Sequence, residues 1–128
     1  MSARKMLMSL GVALLTLTGT GQSTAIHAHH SFAMFDKGKV KTLKGVVRKL
    51  EWTNPHVFLF VEVSEKEGAK LYAVECGAPN MLVRMGWKVN AVKVDDAITV
   101  TMYPLRDGRP GGAIDTITLK NGTVLKVV

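Results

Sequence analysis

Cysteine is almost absent from this sequence. Cys76 stands alone among 128 residues, which excludes an intrachain disulfide framework and any zinc or iron–sulfur site built from several thiolates. Aromatic residues make up only 6% of the chain. Those in its middle, Phe58, Phe60 and Tyr72, do not form the stacking pattern that a single-stranded nucleic acid needs. No Gly-x-Ser-x-Gly elbow, P-loop or dinucleotide fingerprint is present. No acidic residue occurs in residues 1–28, and no second long apolar run follows the one that ends at Leu17. The length permits one ordinary domain and excludes a multidomain enzyme. What is abundant is apolar residues, 47% of the chain, which argues against wholesale disorder, and a formal net charge of +7. That charge favours anionic partners.

The first segment reads as a secretory signal. Arg4 and Lys5 supply the positive start, and Met6 to Leu17 is an apolar run of h-region length, too short to span a bilayer. Small and polar residues follow. A cut after Ala28 leaves His29 first; a cut after Ala25 leaves Ile26 first, and an uncleaved anchor is the third reading. Without a twin-arginine pair, the segment points to Sec-type export and a periplasmic protein. We therefore expect a signal peptide over residues 1–28 and a single domain over 29–128, with Cys76 buried and inert.

Short apolar segments between turn signals dominate the remainder. Strands are expected over Val40–Trp52 (with Gly45 as a bulge or tight bend), His56–Ser64, Lys70–Cys76, Ile98–Tyr103, Ala113–Lys120 and Thr123–Val127. Pro79–Met85 has helical spacing, with Asn80 or its predecessors as a cap, Gly86 as a left-handed terminator and Trp87 folding back. Gly111-Gly112 is expected in a loop. Three strands, a helix, then two or three strands predict an all-β fold with one short helix, an OB-like barrel of five to six strands. An SH3-like barrel and a small β-sandwich are the alternatives.

Three histidines carry the chemical interest: His29, His30 and His56. If His29 begins the mature chain, its α-amino group and ring nitrogen can chelate one metal ion, and His56 can add a third nitrogen. Such a set suits copper(II), with nickel or zinc as competitors. The amine binds only when deprotonated, so affinity is expected to fall as pH drops below about 8. His30 is a substitute or auxiliary ligand. The competing reading makes the histidine pair a solvated chain start and His56 an ordinary first residue of a strand. Trp52, Asn54 and Pro55 form a rigid corner that sets the angle of His56, and Glu75 is a candidate partner that orients the imidazole. Met81 and Met85 are core filler rather than ligands.

The His29-His30-Ser31-Phe32 start, Gly45-Val46-Val47, and the segment Glu51-Trp52-Thr53-Asn54-Pro55-His56 resemble a family of small exported bacterial proteins of unknown function. The similarity continues through Glu75, Pro79-Asn80, Gly86-Trp87, Pro104 and Arg106-Asp107-Gly108 to Asn121-Gly122. It implies a periplasmic, signal-bearing, mainly β protein, and it favours cleavage after Ala28. The sequence departs from the pattern at Cys76 and at Val94-Asp95-Asp96. From these readings we expect a binding module rather than an enzyme, using copper for delivery or sensing. The alternative is an envelope interaction module for a protein or anionic glycan, with an oxidative copper enzyme as a third reading. Neither nucleic acid nor a membrane span in the mature chain is expected.

Overall fold

A computed structural model describes residues 30–127, so the expected signal segment lies outside the described residues. A single helical turn, α1 (His30–Ala33), precedes six strands: β1 (Lys41–Glu51), β2 (Val57–Glu65), β3 (Gly68–Gly77), β4 (Ala97–Pro104), β5 (Gly111–Thr118) and β6 (Val124–Lys126). A second helix, α2 (Pro79–Arg84), lies between β3 and β4. The strand order is β3-β2-β1-β4-β5-β6, and a parallel pairing of β3 with β5 closes the first five strands into a barrel, leaving β6 as an additional strand. Closure through that parallel pair, with the helix between the third and fourth strands, is the OB-like arrangement. It sets aside the SH3-like and sandwich alternatives.

Alternation of side chains builds the core. On β2, Val57, Leu59 and Val61 are fully buried while Phe58, Phe60 and Glu62 face outward. Tyr72, Val74 and Cys76 on β3 and Ile98, Val100 and Met102 on β4 continue the interior. Burying each of the larger apolar side chains contributes about 1.5–3 kcal/mol. On β5 the buried apolar side chains beyond the two starting glycines are Ile114 and Ile117, three apart, because a register shift between Thr101 and Met102 leaves Asp115 as an extra residue and re-phases the strand.

β1 belongs to both halves of the barrel. Lys41–Val46 pair with β4, and Val46–Glu51 pair with β2. Gly45 sits at this crossing, where an added Cβ would lie 2.3 Å from the Glu62 carbonyl oxygen. The bulge itself falls elsewhere, at Arg48, between the pairs Val47↔Val61 and Lys49↔Phe60. Arg48 then donates to Glu62 at 2.9 Å and to Asp95 at 2.7 Å on the surface.

The helix ends as its residues predict. The Trp87 N–H donates to the Leu82 carbonyl and the Gly86 N–H to that of Val83, a Schellman motif, with Gly86 at φ +93°. Leu82 and Trp87 insert into the core. The start falls at one of the predecessors of Asn80. The cap residue is Ala78, whose methyl side chain makes no capping bond, and Pro79 stands in the first turn, where its missing N–H costs nothing.

The hairpin between β4 and β5 is corrected. Gly111 and Gly112 are strand, not loop: they pair with Ala73 and Val74 of β3 and start β5 two residues early. Bare backbone is required there, because a Cβ on Gly112 would meet the Tyr103 carbonyl oxygen at 2.3 Å. No helix among the described residues is long and apolar enough to cross a membrane.

Candidate functional site

His56 precedes β2 directly, at the end of the corner that Trp52, Asn54 and Pro55 form. Trp52 is half-buried and packs against the core, Asn54 and Pro55 are exposed, and the Asn54–Pro55 peptide is cis. The strand pairing then brings a carboxylate to the imidazole. Val57 pairs with Gly77 but Phe58 pairs with Glu75, so Cys76 is the extra residue of a bulge in β3. Cys76 points into the core and Glu75 to the outer face. His56 Nδ1 lies 2.9 Å from Glu75 Oε1, with the two side chains 36% and 17% exposed. At that separation the carboxylate can accept from a protonated Nδ1, which would leave the Nε2 lone pair for another partner. Glu75, within the third strand and next to Cys76, thus lies against the imidazole.

Glu75 also lines a pocket of about 200 Å³ with Met34, Phe35, Phe58, Arg109 and Gly112. Met34 and Phe35 follow directly on α1, and this stretch is fastened to the β4–β5 loop. The Arg106 N–H donates to the Met34 carbonyl at 2.9 Å, Arg106 Nε to the Ala33 carbonyl at 3.1 Å, and the Asp36 N–H to the Pro104 carbonyl at 2.8 Å. Phe35 forms a bridge with Leu105 and is 3% exposed. The segment after the paired histidines therefore packs against the pocket that the His56 partner lines. His29 and the side chain of His30 lie outside the described residues. Among the described residues, no three His, Cys, Asp or Glu side chains converge. The histidine–carboxylate pair is what the described part of the chain contributes.

Residues 18–114 match a family of unknown function, DUF6152. The chain belongs to that family. The match spans His29, His30, His56 and Glu75, and it runs from β1 through β4 into β5. No curated protein and no solved structure matches the chain. The fold of this DUF6152 protein therefore rests on its own strand pairing.

Cys76 of the DUF6152 domain is free and 1% exposed, and burial pushes its thiol well above the ordinary range. A buried thiol that stays protonated neither attacks electrophiles nor binds metal. The native protein is expected to leave Cys76 unmodified by iodoacetamide at pH 8, with full labelling once denaturant is added, as read by intact mass. Rapid labelling of the folded protein would overturn this assignment. Met81 and Met85 are half-buried against the core, which agrees with a packing role.

Proposed function

We propose that this DUF6152 protein is an exported periplasmic binding module that holds copper(II) at the junction of its mature N-terminus and the His56 corner, for delivery or sensing. In this reading the His29 amine and ring nitrogen and His56 Nε2 are the ligands, and His30 is auxiliary. Copper, when bound, would take such nitrogens in a tetragonal arrangement. The observation that carries the proposal is the His56–Glu75 contact beside Met34. Glu75 lies 2.9 Å from Nδ1; a carboxylate in that place would favour the tautomer that leaves Nε2 to a metal, as in metal-binding histidines backed by a carboxylate. α1 begins at His30 and ends at Ala33, whose carbonyl Arg106 fastens, so only Ser31 and Phe32 lie between the second histidine and the first fastened residue.

The test is a Cu(II) titration of protein that begins at His29, against the same protein with its α-amino group acetylated. Acetylation removes the terminal amine from the ligand set without adding another. We expect submicromolar binding for the first form and at least tenfold weaker binding for the second, with one fewer nitrogen coupling in the electron paramagnetic resonance spectrum. Equal affinities and identical spectra would refute the N-terminal chelate.

A further inference from the structure

A second pocket, of about 240 Å³, adjoins the one that Glu75 lines, and Leu105 and Arg109 border both. Lys41, Lys70 and Arg109 supply three cations to it, and Glu65 is the one carboxylate among its lining residues. The phenol of Tyr72, a residue only 3% exposed, anchors this cluster. Tyr72 donates its hydroxyl proton to Glu65 and accepts from Lys41 Nζ at 2.6 Å, and the Lys41 ammonium also lies over the ring, 4.6 Å from its centre. Lys70 Nζ holds the other Glu65 oxygen at 2.8 Å.

The carboxylate and several carbonyls of this pocket are already engaged. Both Glu65 oxygens have donors, and the carbonyls of Pro110 and Gly111 receive the N–H groups of Ala73 and Leu105. Donors are in surplus. Lys70 directs one N–H to Glu65 and Arg109 directs Nε to Asp107 at 2.7 Å, so the rest of each ammonium and guanidinium faces the cavity and solvent. The Lys70 hydrogen bond, then that of Tyr72, holds the Glu65 carboxyl below its ordinary range, so this acceptor stays ionised and occupied at neutral pH. A pocket with more fixed donors than acceptors and a cationic balance is complementary to an anion that brings several oxygen acceptors.

We propose that the pocket between Lys41, Lys70, Tyr72 and Arg109 binds a small oxyanion, a phosphate or carboxylate group, beside the His56–Glu75 pair. The inference is independent of the copper reading, since it uses neither His29 nor His56.

The probes are inorganic phosphate and succinate, each titrated into the protein at constant ionic strength set with chloride, and followed through backbone amide resonances. We expect saturable shifts at Lys70, Gly108 and Gly111 with at least one probe. Response to phosphate alone assigns phosphate esters, and response to succinate alone assigns carboxylates; either supports the site. The double variant Lys70→Gln, Arg109→Gln is expected to weaken binding at least tenfold. A control variant, Lys88→Gln with Lys120→Gln, alters a separate and more open lysine-lined groove and is expected to leave the affinity unchanged. Absence of saturation with both probes, or an equal loss in the control, would overturn the proposal.

Discussion

Replacing His56 with alanine is expected to weaken Cu(II) binding by protein that begins at His29 about 100-fold, equivalent to about 2.7 kcal/mol. The side chain would be the only ligand that the folded barrel supplies to the proposed site. Without it the copper keeps a flexible two-nitrogen chelate at the chain start, which any peptide with a leading histidine provides. Glu75→Gln is expected to cost about tenfold, the lower end of the range for groups that orient a ligand. The glutamine oxygen still accepts from Nδ1, but its charge no longer raises the basicity of the ring. Competition against a chromophoric chelator gives both affinities, and circular dichroism checks that each variant is folded. His56 is partly exposed and lies outside the buried cluster, so its removal leaves the core intact. If His56→Ala binds as tightly as the parent protein, the barrel contributes no ligand and the proposed site is wrong. If Glu75→Gln weakens binding as much as His56→Ala, the carboxylate is itself a ligand rather than an orienting group.

Gly45→Ala is expected to destabilise the domain by about 3 kcal/mol, at the upper end of the usual cost of overpacking. The added methyl group would stand 2.3 Å from the Glu62 carbonyl oxygen and 2.8 Å from Val61 Cγ1. Neither neighbour has room to withdraw. Val61 is completely buried, and Glu62 is held in register opposite Val46 while its side chain pairs with Arg48. Relief would require β1 to separate from β2 at the point where it passes from one half of the barrel to the other. For a domain of this size the penalty corresponds to a fall in Tm of roughly 12–24 °C. Thermal unfolding followed by circular dichroism measures it. A fall of less than about 3 °C would show that β1 and β2 do not approach so closely at this crossing.

Much of the fold was legible because local rules and global packing agree along most of the chain. The Val57, Leu59, Val61 alternation, the turn at Lys66-Glu67 and the Leu82, Gly86, Trp87 helix end each carry their own signal. Legibility failed where backbone crowding, rather than side-chain pattern, sets the structure. Gly111 and Gly112 look like a loop by composition, yet they are strand because bare backbone alone fits between β3 and β4. The bulge at Arg48 leaves no compositional mark, since any residue can occupy it. α1 is four residues long and lacks the amphipathic repeat by which helices are recognised.

The candidate site divides in the same way. Residue type singled out His56, because imidazole is a metal ligand and Pro55 fixes the corner before it, and it proposed Glu75 as an orienting carboxylate. Their separation in the chain shows nothing of contact. The bulge at Cys76 brings Glu75 opposite Phe58 and into reach of the imidazole. Nor does the sequence reveal the pocket of Lys41, Lys70 and Arg109. These three cations come from β1, β3 and the β4–β5 loop, and in the linear chain they are three among many dispersed basic residues.

From its order of residues alone the chain determined an apolar, β-rich domain with a helix after the third strand, a single unreactive thiol and a histidine set apart by its neighbours. These properties depend on side-chain chemistry and short-range periodicity, which operate over a few residues. Tertiary structure alone decided the parallel closure of β3 on β5, the docking of Ala33–Asp36 against the β4–β5 loop, and the meeting of His56 with Glu75 and of Lys70 with Glu65. Each of these depends on strand register. A shift of one residue would turn every side chain of a strand to the opposite face, and register is fixed only when the whole barrel packs.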